Sequence, residues 1–354
     1  MYTLNKKIRN LEPYQPVTGQ MKIRLDANES CVNLPNDIMQ EIHKAIDNID
    51  FNRYPDPNAA KVCAAFADFY GIDPSNVVAA NGSDELLFLI SAAFFMKGET
   101  LVTVEPDFSM YRFYTSITEV NCVSVKKNDD LTVNVDAVIE MVNSTKAAAV
   151  IFSNPCNPTS KGLQKDEVCR LVESVDSLVI LDEAYMDFWD CSFLNEACRY
   201  RNLIILRTAS KAVGAAAIRL GFAVSCEKIT NALRAVKSPY NVNTLTQEIG
   251  AIIYSHKEYL TKTRNYIVTQ RKNLYNSIKE LAAVYPQFFT VVDGCSNFVF
   301  IKSSVGRQLF EYLLSQGTAI RYMGDYIRIT AGTDQENGVL VSQINEFTKI
   351  IIKG

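Results

Sequence analysis

The chain has 354 residues, 48% hydrophobic and 21% charged, with a formal net charge of −3. That length suits one large domain plus a smaller one, and that charge gives no electrostatic footprint for nucleic acid or an anionic membrane. Nine cysteines without a CxxC pair suggest no zinc or disulfide framework, and with only two histidines, His43 and His256, a three-histidine metal site is impossible and a Ser-His-Asp triad is disfavoured.

The first residues, "MYTLNKKIRNLEPYQP", carry basic side chains but no apolar run behind them, unlike a secretory signal. No window reaches the roughly 18 to 20 apolar residues of a membrane span, so a cytoplasmic protein with reduced thiols is expected. Residues 1–30 look irregular and read as an arm laid over something else. Neither GxxxxGK[ST] nor GxGxxG after a strand occurs.

From about residue 75 to 225 the pattern alternates. "NVVAA", "ETLVTVEP", "CVSVKK", "AAAVIFSNP", "LVILDEAY", "NLIILRTAS" and "LGFAVS" are short apolar runs. Most are separated by helical stretches such as "DELLFLISAAFF", "SMYRFYTSI", "DAVIEMVNS" and "KDEVCRLVES". This predicts an α/β domain over residues 31–240, with a mainly parallel sheet covered by helices on both faces. After Pro239 one long helical stretch precedes "FFTVVDGCSNFVFIK", the hairpin "AIRYMGDYIRIT" and a last helix. Residues 241–354 therefore read as a small α+β domain.

In an open parallel sheet ligands bind at the carboxyl ends of the strands. Five such ends carry polar or aromatic residues: "NGSDE" (81–85), "EPDFSMY" (105–111), "SNPCNPTSKG" (153–162), "LDEAY" (181–185) and "RTASK" (207–211). Ser83 and Asp84 open a helix after Gly82, which is either an anion site or an ordinary N-cap. Thr208 and Ser210 add hydroxyls. Arg219 adds a bidentate cation or a surface ion pair.

Asp182 ends an apolar run, so as a buried carboxylate it needs a partner, unless it caps the next helix. A protonated heterocyclic nitrogen would serve, and Tyr185 three residues on could reach the same ring. Asn157 suits a phenolic oxygen, or simply forms a turn. Phe108 offers a face for stacking, or a core side chain. Lys211 supplies a primary amine beside all of these. A ring with a phosphate arm, a basic nitrogen, a phenolic oxygen and an aldehyde is pyridoxal 5′-phosphate, with Lys211 as its Schiff-base partner.

With these motifs in this order the chain resembles the class II aminotransferases of fold-type I, and within them is similar to the histidinol-phosphate aminotransferase group. "IRNLEPYQP", "LDANES" and "FNRYPDP" extend the likeness to the N-terminal region, and "NP-x-NPT", "DEAY" and "RT-x-SK" carry it through the centre. The resemblance implies that Asp182 pairs with the pyridine nitrogen and that Asn157 and Tyr185 contact the ring oxygen. It implies that Phe108 stacks on the ring and that Ser83, Asp84, Thr208, Ser210 and Arg219 surround the phosphate. Tyr54 would reach the cofactor of a partner subunit in a homodimer.

By the same resemblance Arg328, with Arg321, Tyr14 and Asn28, binds the substrate, although Arg321 also reads as a solvated hairpin charge. Lys211 would then shuttle a proton, with L-histidinol phosphate as amino donor and a 2-oxo acid as acceptor, and with no metal. The sequence departs from the group at three places: Phe108 replaces a tyrosine, Ser160 a glycine, and "GAAAIR" stands for "GLAGLR". Three rivals stay open. They are an aminotransferase for aromatic or other amino acids, a threonine-phosphate decarboxylase, and a non-catalytic regulatory module. The last is disfavoured because no DNA-binding domain fits before Tyr14.

Overall fold

The computed structural model describes residues 2–353 except Asn10 and Tyr14. Strands are numbered along the chain from β1 (Ile23–Arg24). β2 (Val77–Asn81), β3 (Thr100–Glu105), β4 (Asn121–Lys126), β5 (Ala149–Ser153), β6 (Leu178–Asp182), β7 (Leu203–Thr208) and β8 (Leu220–Ser225) make one sheet, in the order β2-β8-β7-β6-β5-β3-β4. Every residue of β5, β7 and β8 is buried, as expected where helices cover both faces and no strand face meets water. One core packs Phe66, Phe152, Phe222 and Tyr254 on one side of the sheet. Leu86, Ile90, Ile151 and Ile204 belong to the core on the other.

Only β8 runs antiparallel to its neighbours, β2 and β7. Its first residues therefore lie at the edge where the other strands end. The chain also changes direction across the sheet between β3 and β5, since β4 lies outside β3 and β6 lies beyond β5. A crevice opens at such a reversal, outside the carboxyl ends of the strands.

A second sheet, antiparallel, contains β9 (Phe289–Val292), β10 (Phe298–Ser303), β12 (Arg321–Met323) and β13 (Tyr326–Thr330), in the order β12-β13-β10-β9. It packs on the helices Lys257–Val284, Gly306–Ser315 and Asp334–Lys353 around Val299, Ile301, Leu309, Ile327 and Leu340. The stretch after Pro239, read as one helix, is two: Thr244–Ser255 and Lys257–Val284. The chain breaks at His256, whose ring meets Glu41 at 3.0 Å.

Part of the N-terminal segment is also more regular than its sequence suggests. β1 pairs in parallel with β11 (Thr318–Ala319), and Leu25 enters the core of the second sheet. Two residues are too few to show an alternating pattern. A small apolar cluster of Tyr185, Phe188, Ala212, Ile267 and Phe298 joins the two sheets beside Lys211.

Candidate functional site

The sheet edge brings the motif residues together. Gly82 to Asp84 follow β2, Phe108 follows β3, Asn157 follows β5, Asp182 ends β6 and Lys211 follows β7. Arg219 precedes the antiparallel β8, which places it at the same edge. Strands that neighbour one another hold these positions in register, for example Ser153 beside Asp182 and Thr208 beside Gly221.

At one end of this edge is a cup of hydrogen-bond donors. The helix Gly82–Ala93 begins with no side chain capping its first amides, so backbone N–H groups and the positive end of the helix dipole stay open to an anion. Gly82 has φ 74° and sits against Arg219, where a Cβ would lie 2.8 Å from Nη2. A Cβ on Gly221 would strike the backbone of Gly82 and Ser83 at 2.4 Å. Two glycines thus let β8 approach the helix terminus closely. Arg219 itself takes a left-handed conformation, φ 50°, and donates to Ser210 Oγ at 3.2 Å while pairing with Asp84 at 3.4 Å. Thr208 Oγ1 donates to Ser210 Oγ at 3.0 Å.

At the other end stands Asp182, 4% exposed. It accepts from the Tyr111 hydroxyl at 2.9 Å and from Ala184 N at 3.1 Å. Burial pushes its pKa up to about 7, against the pull of the Tyr111 hydrogen bond and the Ala184 amide. No cation among the described residues pairs with it. The sequence reading missed Tyr111, although it stands in "EPDFSMY" three residues after Phe108, one helical turn on. Phe108 meets Tyr111 edge to face, ring centroids 5.6 Å apart.

Asp107 of the same segment accepts from Phe108 N at 2.7 Å and from Ser153 N at 3.1 Å, tying the ends of β3 and β5 together. Ser153 Oγ in turn accepts from Asn157 N at 3.0 Å. Burial raises the pKa of Asp107 also. Behind Lys211 a second missed group, Arg207, is buried with Glu183 at 3.0 Å and Asp187 at 2.7 Å, and so fixes the "DEAY" and "RTASK" turns to each other.

Lys211 Nζ donates to Ala27 O at 3.0 Å and lies 5.7 Å from the Tyr185 ring centroid. Tyr185 OH accepts from Asn28 Nδ2 at 2.9 Å. Asn28 is buried with φ 55°, and Thr330 Oγ1 both donates to its Oδ1 at 3.1 Å and accepts from its backbone N at 3.0 Å. Arg328 on β13 is 8% exposed, donates to Asn157 Oδ1 at 2.7 Å and to Asp26 O at 2.7 Å, and faces the Phe298 ring. Arg321 is its cross-strand partner on β12, so the two cations share one face of the hairpin. Tyr14 lies outside the described residues. Tyr54 is not drawn into this chain's site: it is 81% exposed and stacks on Tyr240 at 4.6 Å.

Ser160, where the resembled group has glycine, has φ 61°, a conformation that favours glycine. Its Oγ accepts from Ser296 N at 2.8 Å and its carbonyl from Cys295 N at 2.8 Å. A Cβ on Gly294 would lie 2.4 Å from that of Ser160. A glycine opposite makes room for the side chain, and the new hydrogen bond offsets its backbone strain.

The donor set fits pyridoxal 5′-phosphate. The cup accepts a phosphate, and the unpaired buried carboxylate accepts a ring N–H. The Asn157 amide hydrogens and the Tyr185 hydroxyl hydrogen enter no hydrogen bond among the described residues, so both are donors for a phenolic oxygen.

Comparison with known proteins gives findings of three kinds. A sequence model of the aminotransferase class I and II family matches residues 20–344. The histidinol-phosphate aminotransferase of Clostridium novyi (strain NT) is 37% identical over 337 residues, 94% of this chain and 93% of that protein. That of Clostridium kluyveri (strain NBRC 12016) is 36% identical over 351 residues, 96% of this chain and 98% of that one. Among solved structures, histidinol-phosphate aminotransferase from Sinorhizobium meliloti, in complex with pyridoxal-5′-phosphate, superposes with a TM-score of 0.88 over 98% of each chain at 22% identity.

Proposed function

The chain belongs to the class I and II aminotransferases, and from that premise we propose that it transfers the amino group of L-histidinol phosphate to a 2-oxo acid, with pyridoxal 5′-phosphate as cofactor. The observation that carries this reading is the convergence on one sheet edge of Lys211, a buried Asp182 that no cation pairs with among the described residues, and an open helix terminus. When bound, the cofactor supplies an aldehyde carbon and an electron-withdrawing ring that acidifies the substrate's amine-bearing carbon.

The residues then divide the work. Ser83, Thr208, Ser210, Arg219 and the first amides of the helix Gly82–Ala93 hold the phosphate, with Asp84 steadying Arg219. Asp182 keeps a proton on the ring nitrogen. Asn157 and Tyr185 donate to the phenolic oxygen, and Phe108 covers the ring. Lys211 would supply the amine that holds the aldehyde group and, once displaced by the incoming amino substrate, would move the proton of the substrate carbon. Arg328, backed by Arg321, receives the anionic end of the substrate; Asn28 sets the Tyr185 hydroxyl, and Tyr14 is read as a substrate-binding residue.

We read the protein as a cytoplasmic homodimer in which residues 31–240 bind the cofactor, residues 241–354 receive the substrate, and residues 1–30 form an arm. Tyr54 and Tyr240, both exposed and stacked on each other, support the dimer, since exposed aromatic rings side by side favour burial. Nine unbridged cysteines suit a reducing compartment, and no helix among the described residues is long and apolar enough to cross a membrane.

The test is a visible-absorption titration of the cofactor-loaded protein with L-histidinol phosphate and no 2-oxo acid. Loss of the lysine-bound cofactor band supports the donor. A band that persists with this compound but is bleached by an aromatic amino acid would replace the donor, and carbon dioxide released from threonine phosphate would replace the reaction.

A further inference from the structure

Resting on the cofactor reading above, we propose that Tyr111 is a positioning residue for Asp182, holding that carboxylate ionised and oriented toward the cofactor's ring nitrogen. The geometry is specific. Tyr111 and Asp182 are both buried, and the hydroxyl donates to Oδ2 while Ala184 N donates to Oδ1. Each carboxylate oxygen thus has one donor from the protein and keeps further lone pairs for a third partner.

Tyr111 cannot drift from this position. It sits in the first turn of the helix Met110–Thr118, its ring lies against Phe108, and its carbonyl accepts from Thr115 Oγ1 at 3.0 Å. The segment from Asp107 to Tyr111 therefore acts on three points at once. Asp107 clamps the end of β5, Phe108 lies where a ring can stack, and Tyr111 reaches across to the end of β6.

The direction of the proton follows from the surroundings. Burial, then the charges of Asp182 and Asp107, hold the phenol well above its usual range, so Tyr111 remains a donor throughout the working range of the protein. A hydroxyl that donates to Asp182 stabilises the carboxylate anion and opposes the effect of burial. Without it the buried carboxylate would hold its own proton more firmly and compete with the ring nitrogen.

The experiment compares two ligands in apo-protein binding: pyridoxal 5′-phosphate, and its analogue with the ring nitrogen replaced by CH. Tyr111→Phe is expected to weaken binding of the natural cofactor by about tenfold or more. Affinity for the analogue should stay within about twofold, because the contact that Tyr111 supports is absent there. Equal losses for both ligands, or no loss for either, would sink the proposal. A wild-type apo-protein that fails to bind the natural cofactor would overturn the functional reading itself. Should Tyr111→Phe not fold, Tyr111→His keeps a ring N–H. Retained preference for the nitrogen-bearing ligand then supports a donor role, and equal weakening of both ligands overturns it.

Discussion

At one end of the site, Ser83, a half-exposed Arg219, the buried hydroxyls of Thr208 and Ser210 and an open helix terminus gather several donors in a cup. At the other end Asp182 stands buried, and among the described residues it accepts only from the Tyr111 hydroxyl and the Ala184 amide. The first arrangement is redundant: several donors serve one anion, and none is indispensable. The second depends on single groups, because a charge in a dry setting has no substitute partner. A phosphate brings its own strong charge, so it tolerates loose reception. A ring nitrogen must have its proton placed.

The comparison predicts a graded series of mutant effects. Lys211→Ala should lower single-turnover amine transfer by at least ~10³-fold, followed by rapid-mixing absorbance, since it removes the amine that carries the proton. A variant that completed both half-reactions would remove Lys211 from its role.

Asp182→Asn should lower kcat by ~10²-fold or more in steady-state assays. It should also change how apo-protein stability depends on pH. The folded pKa of Asp182 is about 7, above the ordinary carboxylate value of about 3.9. Between those values the folded state binds more protons than the unfolded one, so this group's stabilising contribution, complete below the unfolded value, is lost as pH rises through 7. Asp182→Asn should remove that decline, gaining on the order of 2–4 kcal/mol relative to wild type between pH 4 and 8 in denaturant titrations. Parallel pH profiles for the two proteins would contradict the buried-carboxylate reading.

Arg328→Lys should raise KM for the phosphorylated donor by about tenfold to a hundredfold, with a smaller change in kcat, because an ammonium cannot replace a planar fork already bonded to Asn157 and Asp26. An unchanged KM would point to another anion receptor. Thr208→Ala should have the smallest effect, weakening cofactor binding less than about tenfold by fluorescence titration. A loss as large as that of the buried end would show that the cup is not redundant.

Much of this was legible in the sequence for local reasons. Runs such as "LIILR" read as buried strands because composition over a few residues decides them. Lys211, Asp182, Asn157 and Ser83 follow such runs directly, so strand assignment carries them to the same edge. Short elements were not legible. The two residues of β1 pair with β11 only because Leu25 finds the core of the second sheet. The helix break at His256 has no glycine or proline to mark it.

What the sequence by itself determined is the α/β layering, the strand ends and the kinds of side chain placed there, since these depend on hydrophobic period and nearby turn chemistry. What only the tertiary structure decided are the pairings across long stretches of chain. Tyr111 meets Asp182 across 71 residues, Asn28 meets Tyr185 across 157, and Arg328 meets Asn157 across 171. No local pattern encodes such contacts. They arise because the sheet stacks distant strands side by side, and a buried polar group must bond with whatever the fold brings next to it.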